Sequence, residues 1–200
     1  MRPAPNPAAL EMRTPLNIVL GGVTAALLFA SGCGSDPFAV RWTESPQEAT
    51  IYSLDRPEPH LRSAFNLSAR RAVRLEGADA RGRWDFALER RDGRLYLVPP
   101  GAMGVRGSQA AISPVAGVPW EDVREAPSDT ARFVSRAPVL LEAGTIYVVR
   151  THEQLGSFGR TCVFYGKVEP LDIDLERGAL TFLNDVSPDC NNRRLVPRGS

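Results

Sequence analysis

The feature that most limits the fold of this chain is the close spacing of its turn-forming residues. Four of the 17 prolines precede residue 33, which leaves 13 in the rest of the chain, together with many glycines. Proline ends helices and central strands, and glycine favours turns, so long helices are disfavoured. The sequence predicts an all-β domain of about 9–11 short strands with minimal helix, as an antiparallel β-sandwich or an open barrel.

The clearest local hairpin lies in residues 83–98 (RWDFALERRDGRLYLV). Alternation in its first half predicts three apolar side chains on one face: Trp84, Phe86 and Leu88. Asp85 falls on the opposite, polar face. Asp92-Gly93 is a hairpin turn signal, because both residues tolerate the positive φ angles of a two-residue loop. A separate strand is predicted at residues 145–151 (TIYVVRT).

The N-terminal region has the layout of an export signal. Arg2 and Arg13 precede an apolar run of 15 residues, at positions 16–30 (LNIVLGGVTAALLFA). A membrane-spanning helix needs roughly 20 residues, so the run predicts a signal peptide, residues 1–32, rather than a transmembrane anchor. Met12 would give a shorter and more ordinary start than Met1, and the sequence leaves both open.

Ala30-Ser31-Gly32-Cys33 resembles the lipobox of bacterial lipoproteins, although that family prefers leucine where this chain has Ala30. The resemblance implies cleavage before Cys33 and attachment of lipid to that cysteine. Two or three acyl chains make release from a membrane very slow. Gly34 stands where an aspartate retains such proteins in the inner membrane of enteric bacteria. The resemblance therefore implies a cell-envelope location at the outer membrane, facing either side.

With Cys33 assigned to lipid, two cysteines remain in an oxidising compartment, which predicts a disulfide between Cys162 and Cys190. Strands are predicted at 163–174 and 179–186, around a turn at 175–178. Pairing across this turn aligns residues whose numbers sum to about 353. Cys162 then lies opposite Cys190 or Asn191, where a bridge across the open end of the hairpin is feasible.

These boundaries divide the chain into four segments. The signal peptide is followed by a lipidated tether, 33–48, a single β-rich domain, 49–194, and a tail, 195–200. The tail (LVPRGS) is identical to a thrombin-cleavage sequence used in recombinant proteins and is either a scar or natural. After residue 32 the chain has 22 basic and 22 acidic residues, and this balance disfavours nucleic acid as a partner.

No catalytic, metal or cofactor site is predicted from the motifs. His60 and His152 are the only histidines, no G-x-S-x-G elbow is present, and no His/Cys group has zinc-ligand spacing. Six aromatic residues are candidates for lining a ligand pocket, with core packing as the alternative: Trp84, Phe86, Tyr96, Trp120, Tyr147 and Tyr165.

Residues 84–88 (WDFAL), preceded by Phe65-Asn66-Leu67 and followed by a glycine-containing hairpin, resemble the W-D-[IF]-A-F region of HmuY-like lipoproteins. Those are all-β, surface-anchored, haem-binding proteins, and the resemblance covers about 40 residues. It implies an all-β fold and haem binding. Members bind haem through two histidines, but neither His60 nor His152 matches a family motif.

Three functions are therefore carried forward. The first is a non-enzymatic, lipid-anchored envelope protein that binds a small ligand or a protein partner. The second is a haem carrier of the HmuY-like type. The third is an envelope hydrolase, which would require a cleft that brings His152 within hydrogen-bond reach of a serine, aspartate or glutamate.

Overall fold

Short antiparallel strands dominate the chain. The structure, a computed structural model, describes residues 40–78, 80–156 and 159–199. Twelve strands occur in these residues: β1 Gln47–Tyr52, β2 Ala64–Asn66, β3 Arg71–Val73, β4 Phe86–Arg91, β5 Arg94–Val98, β6 Ala111–Ala116, β7 Val139–Leu140, β8 Thr145–Arg150, β9 Gln154–Leu155, β10 Thr161–Cys162, β11 Tyr165–Asp174 and β12 Ala179–Val186. Helix in the described residues is limited to short 3₁₀ turns such as Pro100–Met103, Trp120–Asp122 and Thr130–Arg132. The all-β prediction with minimal helix is confirmed.

The strands form two five-stranded sheets and one small ribbon. The first sheet has the order β1-β12-β11-β8-β6, the second β3-β2-β4-β5-β7, and β9 pairs with β10. Apolar side chains of the two sheets pack against one another; the ring centroids of Phe65 and Phe182 lie 5.0 Å apart. Neither sheet closes on itself, and the two pack face to face, so the architecture is an antiparallel β-sandwich, one of the two that were predicted.

A single apolar core fills the space between the sheets. Phe65 and Phe86 of the second sheet and Phe182 of the first form its aromatic centre, with centroid separations of 5.0–5.7 Å. All three rings are fully buried. Burial of each ring contributes about 2–3 kcal/mol by transfer from water, and edge-to-face contacts add to it.

Strand β8 is buried on both faces. Tyr147 and Val149 point into the core between the sheets, whereas Ile146 and Val148 belong to a second apolar cluster with Phe133. The 3₁₀ turns between β6 and β7 supply residues of this second cluster, which covers the outer face of the first sheet. Because both faces of β8 are covered, its sequence is nearly continuously apolar rather than alternating.

The predicted shared face of Trp84 with Phe86 and Leu88 is wrong. Phe86 and Leu88 face the core between the sheets, but Trp84 packs beside Ala87 on the opposite face. The strand begins at Phe86, and the backbone bends at the residue before it, so alternation does not extend back to Trp84. Asp85, predicted on the polar face, is instead fully buried at this bend.

Both predicted hairpins are present. Asp92 and Gly93 have φ angles of 51° and 70°, as a two-residue loop with two positive φ angles requires, and Arg91 pairs with Arg94. In the C-terminal hairpin, Asp174 pairs with Ala179, so the predicted sum of 353 is confirmed beside the turn.

Beyond an irregularity between Pro170 and Asp172 the register of the C-terminal hairpin shifts by one, and Gly166 pairs with Val186. Cys162 and Cys190 lie beyond this paired part of the hairpin, and Cys162 belongs to β10. The predicted disulfide between them is present, with a Cα–Cα distance of 5.2 Å.

The packed chain extends beyond the predicted domain boundaries of 49 and 194. β1 begins at Gln47, because pairing with β12 starts there, opposite Asn184. Residues 40–46, which precede β1, form no regular secondary structure. At the other end Leu195 and Val196 are buried, and the amide of Leu195 donates to the carbonyl oxygen of Arg124 at 2.9 Å.

Candidate ligand-binding cleft

Two adjoining clefts open at the end of the sandwich where β2 turns into β3. The first, which we call the Trp42 cleft, has a volume of about 400 Å³. Its walls include Val186, Pro188 and seven residues with aromatic or polar side chains: Trp42, Thr43, Ser68, Arg70, Gln154, Phe164 and Ser187. The second, the His152 cleft, has a volume of about 510 Å³ and is lined by residues that include Asn66, Arg83, His152 and Leu155. Ser68 and Gln154 line both clefts, and both volumes lie in the range of small-molecule sites.

The shared wall is held by hydrogen bonds from the turn between β2 and β3. Asn66 accepts from the Ser68 hydroxyl and from the backbone amide of Ala69, each at 2.9 Å, and donates to the carbonyl oxygen of Arg83 at 2.9 Å. Ser68 in turn accepts from Nε2 of Gln154 at 2.6 Å. Asparagine at this position builds the turn, because its side chain replaces backbone partners. The Ser68 and Gln154 side chains are therefore fixed before any ligand arrives.

Trp42 reaches the cleft because its segment is anchored to the first sheet. The amide of Ser45 donates to Oδ2 of Asp185 at 3.2 Å, and the carbonyl oxygen of Ser45 accepts from Arg70. Glu44 forms an ion pair of 3.2 Å with Nζ of Lys167. These contacts lie on both sides of the Glu44–Ser45 peptide bond, so residues 42–45 form a defined wall.

Lys167 anchors this wall from a buried position. Its side chain is 1% exposed, and Nζ lies 4.5 Å from the centroid of the Trp120 ring and 3.1 Å from the Trp120 carbonyl oxygen. A buried ammonium group needs such partners, because desolvation without them costs several kcal/mol. The only lysine of the chain thus joins the segment before β1 to the turn at Trp120.

Arg70 is the one charged residue among the described residues that line the Trp42 cleft. Its guanidinium group donates to the carboxylate of Asp185, which is 2% exposed and also accepts from the amide of Val186 at 2.9 Å. Arg70 lies in the left-handed region with φ of 48°, at the end of the turn before β3. Its positive charge is therefore already matched by a buried carboxylate.

A buried carboxylate–histidine pair borders the second cleft. Oδ1 of Asp85 lies 2.8 Å from Nδ1 of His152 and accepts from the backbone amide of His152 at 2.6 Å. Oδ2 accepts from the amide of Leu67 at 2.7 Å. With the carboxylate as acceptor, Nδ1 carries the proton, and Nε2 is the nitrogen that remains to accept or coordinate.

The two histidines are in very different surroundings. His152 has 7% of its side chain exposed, whereas His60 has 74% exposed and lies in the loop between β1 and β2, with Nε2 3.3 Å from Glu58. Of the two, His152 lines a cleft.

The six aromatic residues predicted as pocket lining lie elsewhere in the packing, and none belongs to the walls of these two clefts. Phe86 and Tyr147 are in the core between the sheets, and Trp84 packs on the outer face of the second sheet. Trp120 and Tyr165 pack against the second apolar cluster, and Tyr96 is half-buried on β5.

Tyr147 has a clear structural role. Its hydroxyl donates to the carbonyl oxygen of Leu140 and accepts from the amide of Glu142, both at 2.8 Å. Burial raises the pKa of Tyr147 to about 12, because the phenolate would lose its hydration.

The six candidates do not include the aromatic pair that lines the Trp42 cleft, Trp42 and Phe164. Trp42 falls in the predicted tether, and Phe164 in a predicted strand. The available signal was the turn sequence Asn66-Leu67-Ser68, whose asparagine and serine indicate a side-chain-stabilised turn.

The predicted signal peptide and the lipidation site Cys33 lie outside the described residues. Within the described parts of the chain, no helix has the length and apolar character needed to cross a membrane. The same parts contain no group of three or more His, Cys, Asp or Glu side chains arranged to hold a metal ion. Comparison with family models, with curated proteins and with solved structures found no match to this chain.

Proposed function

We propose that this chain is a lipid-anchored protein of the bacterial cell envelope whose β-sandwich binds a small ligand in the Trp42 cleft. The observation that carries the proposal is the composition of the cleft wall. Two half-buried aromatic residues, Trp42 and Phe164, stand with the hydrogen-bonding side chains of Ser68 and Gln154 around one opening. Binding sites for small molecules combine an apolar surface with a few fixed polar groups in this way.

Preorganisation of the wall supports the same function. The Ser68–Gln154 hydrogen bond and the ion pairs around Ser45 hold the wall from two directions. A site that is already ordered loses less conformational entropy when a ligand binds, so it binds more tightly for the same contacts.

Ligand binding is testable by thermal unfolding of the full-length protein purified in detergent, with a panel of sugars, amino acids, nucleosides, fatty acids and haem. We expect at least one compound to raise the Tm of the wild type but not that of Trp42→Ala. Leu175→Ala, a change at a 47% exposed residue of the β11–β12 turn, is the matched control and should respond like the wild type. Absence of any Trp42-dependent shift would remove the proposal.

The anchor is tested separately. Cys33→Ser should abolish acylation and move the protein from the membrane to the soluble fraction. Mass spectrometry of the mature N-terminus checks the lipid directly. Persistent membrane association without lipid on Cys33 would contradict the anchor and leave the cleft unaffected. Sucrose-gradient separation of the two membranes tests the outer-membrane location.

A second candidate function is haem binding, favoured by the Asp85–His152 pair. A carboxylate on Nδ1 orients the ring of a metal-binding histidine and directs Nε2 to the metal. Titration of the protein with haem should then give a shifted Soret band that His152→Ala abolishes. Ligation by both histidines would also require a loss in His60→Ala. No shift in the wild type would eliminate the haem carrier.

The same pair favours a hydrolase as a further alternative, since a buried aspartate also orients a histidine that acts as a general base. Ser68 lines the His152 cleft, although its hydroxyl donates to Asn66 rather than to His152. Hydrolysis of an activated ester that is lost in both Ser68→Ala and His152→Ala would support this function. Equal background rates in wild type and variants would exclude it.

A further inference from the structure

The charges around the Trp42 cleft indicate what kind of ligand it can accept. Arg70, the charged residue of its described lining, is paired with Asp185, and Glu44 beside the wall is paired with Lys167. An anionic ligand would have to compete with the buried carboxylate of Asp185 for the guanidinium group. A cationic ligand would meet Arg70 without an available counter-charge. Desolvating a charged ligand here would therefore be poorly compensated.

The remaining lining is uncharged and combines aromatic, aliphatic and polar side chains. Trp42 and Phe164 contribute aromatic rings, and Val186 and Pro188 contribute aliphatic groups. Hydroxyl and amide groups come from Thr43, Ser68, Gln154 and Ser187. The Gln154 amide uses one donor on Ser68, which leaves its second donor hydrogen and its carbonyl oxygen for a ligand. Ser68 and Gln154 are both half-buried, so their remaining hydrogen-bonding capacity lies at a partly desolvated surface.

We infer that the ligand of the Trp42 cleft is a neutral sugar, as a mono- or disaccharide unit. This inference rests on the proposed ligand-binding function. One face of a pyranose ring carries C–H groups that pack on an aromatic ring, while its edge carries hydroxyl groups that act as donors and acceptors. That combination matches an indole ring beside uncharged hydroxyl and amide side chains. The volume of about 400 Å³ is sufficient for a ligand of this size.

The His152 cleft adjoins the Trp42 cleft and gives a longer ligand a surface along which to extend. It shares Ser68 and Gln154 with the first, and its outer residues include Arg83 and Glu153, which carry opposite charges. A glycan longer than one unit can extend across the shared wall without meeting a net charge. The geometry therefore favours a neutral glycan over one that carries phosphate or carboxylate groups. It also favours a ligand of more than one sugar unit.

Intrinsic tryptophan fluorescence provides the test, because one of the three tryptophans, Trp42, lines the cleft. The probes are glucose, galactose, mannose, N-acetylglucosamine and their disaccharides, with glucose 6-phosphate and galacturonate as charged counterparts. We expect saturable quenching by at least one neutral sugar and at least tenfold weaker binding of its charged counterpart. Trp42→Ala should abolish the signal, so its binding is measured by calorimetry and should weaken roughly tenfold or more.

Two further variants separate stacking from folding. Trp42→Phe keeps an aromatic face and should restore most of the affinity, whereas Gln154→Ala should weaken binding several-fold without changing the Tm by more than a few degrees. A co-sedimentation arm with purified peptidoglycan and with lipopolysaccharide, alongside the free sugars, distinguishes wall, lipid-linked and soluble sources.

The outcomes separate this inference from the proposed function. If a non-sugar compound binds in a Trp42-dependent manner and no neutral sugar does, the sugar inference is overturned and the ligand-binding function stands. If charged sugars bind as tightly as neutral ones, the charge argument fails. If no compound binds through Trp42, both are lost.

Discussion

Nδ1 of His152 lies 2.8 Å from Oδ1 of Asp85, across 67 positions of sequence. The carboxylate also accepts the backbone amides of His152 and Leu67, at 2.6 and 2.7 Å. Leu67 follows β2 of the second sheet, and His152 follows β8 of the first sheet. One fully buried side chain therefore links both sheets at the end of the sandwich where the clefts open.

This arrangement predicts an unequal effect of the two residues on stability. Asp85→Ala leaves two buried amides without acceptors and should lower the free energy of unfolding by about 3 kcal/mol or more. His152→Ala removes one hydrogen bond and some packing and should cost about 1–2 kcal/mol. Urea denaturation of both variants measures the difference.

Asp85→Asn is the informative intermediate, because its amide group keeps the shape but turns one acceptor into a donor that faces an N–H group. It should be less stable than His152→Ala. A result in which His152→Ala is the most costly of the three would show that the histidine, rather than the carboxylate, holds this end of the sandwich.

Because the hydroxyl of Tyr147 is buried, we expect the folded protein to lose stability at alkaline pH. Burial raises the pKa of Tyr147 from 10.0 to about 12 in the folded state, so the unfolded chain ionises first as the pH rises. The stabilisation from the protonated hydroxyl is complete below pH 10 and is lost as the pH rises through 12. Since one pKa unit corresponds to about 1.4 kcal/mol, the loss amounts to about 2–3 kcal/mol.

Tyr147→Phe provides the comparison for this effect. Below pH 10 it should be less stable than the wild type by about 1–2 kcal/mol, because Leu140 and Glu142 lose their hydroxyl partner. The difference should shrink as the pH rises from 10 and should vanish or reverse by about pH 12. A constant difference over that interval, measured by urea denaturation, would contradict the assignment to Tyr147.

The parts of the fold that sequence predicts well are determined locally. The β4–β5 loop depends on Asp92 and Gly93 alone, whose tolerance of positive φ is visible in their identity. Counting outward from the turn at 175–178 places Cys162 near Cys190 and Asn191, and the disulfide joins Cys162 to Cys190.

The candidate site depends on contacts that no local pattern encodes. Trp42 lines a cleft with Ser68 and Gln154 because its segment is anchored to Asp185, 140 positions from Ser45. Asp85 looks like a surface residue of an alternating strand, and only the bend before Phe86 turns it inward. Alternation assigns faces within a strand, but it cannot show where the strand begins or which distant backbone amides need an acceptor.

The disulfide is expected to contribute substantially to stability. Cys162 and Cys190 are 28 positions apart, and closing a loop of this length stabilises the folded state by about 3–4 kcal/mol in the chain-entropy model. The double variant Cys162→Ser with Cys190→Ser should show this loss in urea denaturation. Reduction of the wild type should lower stability by a similar amount, while a reductant should leave the double variant unchanged.

Adding a side chain at Gly166 should have a strong steric effect in the central part of the first sheet. Gly166 pairs with Val186 on one side and Val149 on the other, and a Cβ atom there would collide with the carbonyl oxygen of Asp185 and approach Cδ2 of Leu67 to 2.7 Å. A backbone oxygen paired within a sheet cannot move aside as a flexible side chain can. Gly166→Ala should therefore lower the free energy of unfolding by about 1–3 kcal/mol, despite the higher strand propensity of alanine.

Glu169→Ala, at a half-buried position on the same strand, is the control and should change the free energy of unfolding by about 0.5 kcal/mol or less. Equal stability of Gly166→Ala and the wild type in urea denaturation would mean that β11 and β12 separate more easily than their register indicates.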